Sequence, residues 1–166
     1  MKTRLGFVSN SSSSNFILAF DKKPKSQKEL QKLMFGDKET HGTSYDDFSA
    51  PTGQIAKAVF VQLGKSLKLD QILQEFRTGW LDGVTEHFNW DDPDVPGISD
   101  PGWEEYNEAQ EEREIIRSLE YFNKWKCPDD QVFFCVSFGD DDGPFGGLCE
   151  QSGIFDNIHH VRISHH

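Results

Sequence analysis

Leu5-Gly6-Phe7-Val8-Ser9-Asn10-Ser11-Ser12-Ser13-Ser14-Asn15-Phe16-Ile17-Leu18-Ala19-Phe20 sets two apolar runs around a serine block. Leu5 to Val8 and Phe16 to Phe20 read as short strands, and the polar residues between them as a held loop. A flexible linker would not be clamped in this way. The other end of the chain has a matching signature. In Gln131 to Phe138, the side chains of Val132, Phe134, Val136 and Phe138 fall on one face. Leu148 to Gln151 reads as a return strand and Ile158 to Ser164 as a last strand. Strands at both ends with helices between them predict an α+β fold. Its sheet is mostly antiparallel, formed by the N- and C-terminal strands, with helices from the middle of the chain packed on one side.

The middle carries helix punctuation. Ser26-Gln27-Lys28-Glu29 is a capping box, Leu30, Leu33 and Met34 supply an apolar stripe, and Gly36 is a natural stop. Residues 37 to 50 are polar and read as a loop. Thr52 is placed to cap a helix bearing Ile55, Ala58, Val59 and Leu63, which ends at Gly64. Leu69, Ile72, Leu73 and Phe76 mark another helix, ending at Gly79. Residues from about 80 to 100 form an acidic loop anchored by aromatics, among them Trp80, Phe88 and Trp90. Asp100-Pro101 starts a helix that runs to about Lys126, with Ile115, Leu119 and Phe122 on its stripe. At 166 residues with no internal repeat, residues 1–166 read as a single domain.

Charge is unevenly spread. There are 17 Lys and Arg against 28 Asp and Glu, a net charge of -11. Between Arg77 and Arg113 there is no Lys or Arg, while eleven acids, from Asp82 to Glu112, account for the whole imbalance. A grip on a nucleic-acid backbone needs clustered cations, so direct nucleic-acid binding is not expected. The acidic strip instead suits docking on a basic host protein or mimicry of a nucleic acid, or is simply a solvated helix face and loop. Cys127, Cys135 and Cys149 are odd in number and lack CxxC spacing, so reduced thiols are expected. No long apolar run follows Met1-Lys2-Thr3-Arg4, and none is long enough to span a membrane, so a cytoplasmic protein is expected.

The stretch Gly6-Phe7-Val8-Ser9-Asn10-Ser11-Ser12-Ser13-Ser14 resembles the start of an uncharacterised family of small tailed-phage and prophage proteins. The acidic Gly139-Asp140 turn and the Ser164-His165-His166 end are also similar to that family. The resemblance implies a phage setting, hence the host cell cytoplasm, and makes a counter-defence role an expectation. It implies no reaction.

Three segments are candidates for chemistry. Ser11, Ser12, Ser13 and Ser14 offer hydroxyls and backbone N–H groups of the kind that cradle a phosphate, without the Lys or Gly spacing of a P-loop. The acidic turn Gly139-Asp140-Asp141-Asp142-Gly143, with Glu150 beyond it, makes Asp140, Asp142 and Glu150 candidate ligands of a divalent metal. Its spacing is not that of an EF-hand, and Asp-Asp-Gly is also a good hairpin turn. In the tail, strand alternation puts His160, Arg162, Ser164 and His166 on one side, where Arg offers a planar fork for phosphate. A sheet pairing the first and last strands would unite these segments in one cleft suited to a phosphorylated, nucleotide-like small molecule.

The expected function is therefore a non-enzymatic phage accessory protein that binds such a ligand or counters host defence. A metal-dependent phosphoester hydrolase and an acidic protein–protein inhibitor or nucleic-acid mimic are the alternatives. The aromatics Trp80, Trp90, Trp103 and Tyr106 leave a homo-oligomer open.

Overall fold

The computed structural model describes residues 13–42, 49–78, 96, 100–126, 131–139, 148–149 and 153–165. In chain order they form β1 (Ser13–Phe20), α1 (Gln27–Phe35), β2 (Thr40–Gly42), β3 (Ser49–Pro51), α2 (Thr52–Gln62), α3 (Leu69–Thr78), α4 (Trp103–Trp125), β4 (Val132–Gly139) and β5 (His159–His165). β1 is the middle strand of a three-stranded sheet, antiparallel to β4 on one side and to β5 on the other. The α+β class holds, and so does a sheet made from the two ends of the chain. The expected strand Leu5 to Val8, and the acidic loop apart from Pro96 and Asp100, lie outside the described residues.

One feature of the architecture differs from expectation: helices cover both faces of the sheet. Phe16 stands opposite Val136 and Arg162, so these residues share a face. On that face Phe16, Leu18, Phe20, Phe134 and Val136 pack with Leu30 and Met34 of α1 and Ile55 and Val59 of α2. Successive strand residues point to opposite faces. Ile17, Val161 and Ile163 accordingly meet Ile72 and Phe76 of α3 and Phe122 of α4. A strand covered on both faces needs apolar side chains at every position. Phe16 to Phe20, buried throughout, meets that requirement.

Local signals explain both ends of α1. The Ser26 hydroxyl accepts from the Glu29 N–H at 3.2 Å, while Glu29 accepts from the Lys25 N–H at 2.7 Å. Gly36 ends α1 with φ of 60°, a conformation that costs glycine little. Thr52 does not cap α2, because the cap position is Pro51 and it makes no side-chain bond. The buried Thr52 hydroxyl instead donates to the Lys38 carbonyl at 2.7 Å and accepts from Gln31 Nε2 at 2.9 Å. It ties α2 to α1 and to the chain leaving α1.

Three further expectations change. Residues 37 to 50 hold β2 and β3, which pair with each other in a two-stranded ladder. Three-residue strands are too short for alternation to register in sequence. Leu148 and Cys149 are helical and buried, where a return strand was expected. The stripe of α4 is rotated: Ser118 and Phe122 are buried, whereas Ile115 is 38% exposed. Among the described residues, no helix is long and apolar enough to cross a membrane.

Candidate functional site

Ser13 stands opposite Gly139 on one neighbouring strand and His165 on the other. The serine block, the acidic turn and the histidine tail are therefore all joined to the sheet at the same end. Ser11, Ser12, Asp140, Asp142, Glu150 and His166 themselves lie outside the described residues. Ser13 and Ser14 belong to β1, which corrects the expectation of a loop. Pairing on both sides satisfies their backbone groups and outweighs the weak strand preference of serine.

Among the described residues, a cross-strand hydrogen bond joins two of the candidates. Ser14 is fully buried, and its hydroxyl accepts from Arg162 Nε at 2.9 Å. That bond uses one of the five N–H donors of a guanidinium. Arg162 is exposed, so a charged group sits at the surface above a buried hydroxyl that fixes its stem. Register puts His160 and Ser164 on the same face as Arg162, opposite Leu18 and Ser14.

His160 is half-buried, with its ring 6.3 Å from that of Phe16 and 5.9 Å from that of Phe155. Its Nδ1 lies 2.9 Å from the Ile158 carbonyl. A carbonyl only accepts, so Nδ1 carries the proton and Nε2 of the neutral ring is an acceptor. The turn before β5 sets this arrangement. Gly153 has φ of 67°, and a Cβ there would lie 2.5 Å from Asp156 Oδ2. The Asp156 N–H then donates to Gly153 O, and the Ile158 N–H to Phe155 O.

The opposite face of the same strands carries different chemistry. Asn15 donates to Glu75 Oε2 at 2.7 Å. Burial, with the Glu75 carboxylate adding to it, pushes the Cys135 thiol up to about 12. Cys135 is thus held as a neutral thiol, a poor nucleophile and a poor metal ligand. Among the described residues, no three His, Cys, Asp or Glu side chains gather as a metal-binding group. On α4, Glu104, Glu105, Glu108, Glu111 and Glu112 are all exposed.

Sequence reasoning identified Arg162, His160 and the serines but not the role of Ser14 as the buried partner. The signal was its spacing: Ser14 is in phase with Phe16 and Leu18, so it belongs to the inward face. Comparison of the chain with protein-family models, with curated proteins and with solved structures gives no match.

Proposed function

We propose that the chain is a phage-type accessory protein that binds a phosphorylated, nucleotide-like small molecule without turning it over. The observation that supports this reading is the register of Ser13 with Gly139 and His165, which joins the three candidate segments at one end of the sheet. Arg162 supplies a planar cation for a phosphate, and Ser14 holds its stem in place. His160 and Ser164, on the same strand face, add polar groups for the rest of the ligand. Binding without turnover needs no general base and no metal. In a host cytoplasm such a protein withdraws a signalling nucleotide from a defence system.

Calorimetric titration of the untagged protein with nucleoside mono-, di- and triphosphates tests the reading. One class binds saturably and is recovered intact. Arg162→Gln weakens it by at least about tenfold, as expected for a charge-assisted bond. Failure of every phosphorylated probe to bind overturns the reading. Metal-dependent consumption of the probe, abolished by chelator, would replace it with phosphoester hydrolysis through Asp140, Asp142, Glu150, His160 and His166.

A second reading rests on the exposed glutamates of α4: docking of this helix on a basic host protein. It predicts salt-sensitive capture of that protein, lost when Glu104, Glu105 and Glu108 are changed together to Lys. Native mass spectrometry of the same sample reports whether the chain forms a homo-oligomer.

A further inference from the structure

A second concave surface lies at the other end of the sheet. It is a groove of about 490 Å³, built where β1 ends, where α1 passes, and where the chain enters β4 and β5. Its volume lies within the range of roughly 300–1,000 Å³ typical of small-molecule sites. From Ser14 to Phe20 is six strand residues, about 20 Å, so this groove is separate from the Arg162 end.

The lining is apolar on one side and rich in acceptors on the other. Leu33, 45% exposed, supplies apolar surface, with the buried Phe20 and Ile158 behind it. Gln131 Oε1 is buried and has no hydrogen-bond partner. Such an acceptor costs free energy until a donor meets it. Two other polar residues of the groove spend a donor on a main-chain carbonyl. Asn157 Nδ2 donates to Met34 O at 2.7 Å, and His159 Nε2 donates to Trp125 O. This leaves Asn157 with its Oδ1 as an acceptor beside its second N–H. The His159 ring is stacked on Trp125 at 4.8 Å and 15°, which fixes its plane. Two carboxylates, Asp21 and Glu29, stand against one ammonium, Lys22.

We infer that this groove is a binding site for a small molecule that presents N–H donors from an amidine, guanidine or amino group on a flat apolar body. The ring lies along Leu33, and its N–H edge meets Gln131 Oε1 as that side chain turns out into the groove. An anion is disfavoured by the net negative lining.

Benzamidine and benzoate test this directly. They share a ring and a size but have opposite hydrogen-bonding polarity and charge. Each is titrated into the full chain with amide resonances followed by nuclear magnetic resonance. Benzamidine produces saturable shifts at Phe20, Leu33, Asn157 and His159 and none at Ser14 or Ser164, whereas benzoate produces none at either place. Gln131→Leu weakens benzamidine about tenfold, the loss expected for one buried acceptor. Leu33→Lys, at an exposed position that leaves folding intact, places a cation in the groove and abolishes binding. The inference is overturned if benzoate shifts the same residues, if benzamidine does not saturate there, or if Leu33→Lys binds as the parent does. Loss of phosphate binding at Arg162 would leave this result untouched.

Discussion

On the α1–α2 side of the sheet, 19 described residues are buried in one apolar cluster; on the α3–α4 side six are, with six half-buried neighbours around them. The first side is a closed core. The second is a shelf of rings, in which Phe76 meets Tyr121 edge-on at 5.6 Å and Trp125 at 6.2 Å. It also admits polar groups, including the Asn15–Glu75 bond and the Cys135 thiol. Equal strand pairing thus supports two unequal layers. Among the described residues, α1 and α2 complete the hydrophobic core, whereas α3 and α4 cover a face that also holds polar groups.

The largest expected effect tests that division. Phe134→Ala, in the closed core, destabilises the fold by about 4 kcal/mol, and Phe122→Ala, on the ring shelf, by about 3 kcal/mol. Urea unfolding of both variants decides it, and equal losses would mean that the layers are equivalent. Next comes alkaline pH. The native state keeps the Cys135 proton up to about 12, while an unfolded chain loses it near 9.0. The contribution is full below the unfolded value and is lost as pH rises from there to about 12. Cys135→Val removes this part of the alkaline decline. An unchanged slope between parent and variant would show that the thiol is wetter than its surroundings imply.

Ser14→Ala sharpens the picture of the first face, where the hydroxyl is a buried polar group. It costs about 1 kcal/mol, because Arg162 is exposed and water can take the place of the lost hydroxyl. A loss several times larger would make this pair a structural keystone rather than a positioning device. The smallest effect belongs to the outer edge of the second layer. Ile116 is 56% exposed, so Ile116→Ser changes stability by no more than about 0.5 kcal/mol in thermal melts.

The sequence made the sheet legible because Val132 to Phe138 alternates and because both chain ends carry apolar strand patterns. The capping box of α1 and the Leu69 to Phe76 stripe of α3 were equally plain. The second helical layer was not read, although its trace is present. Phe133 and Cys135 sit between the inward residues of β4, and Ile17 and Ala19 between those of β1. An apolar run on both parities means a strand covered twice. Thr52 was misread because a cap and a buried tie use the same hydroxyl, and only the position of Lys38 distinguishes them. Of the candidate site, the pairing of β1 with β5 was legible as a possibility of topology. The burial of Ser14 was not, since four serines in a row hide the one that is in phase with the core.

The central place of β1 has a consequence for synthesis. Its first partner begins at Val132 and its second at His159, so neither exists while α1, α2 and α3 emerge from the ribosome. Helices can form meanwhile, but Phe16-Ile17-Leu18-Ala19-Phe20 must wait as an unpaired, sticky segment until β4 and β5 are made. Folding is then gated by the synthesis of β5. A ribosome that stalls before β5 releases a chain whose central strand has an open edge, a natural substrate for chaperones or for aggregation.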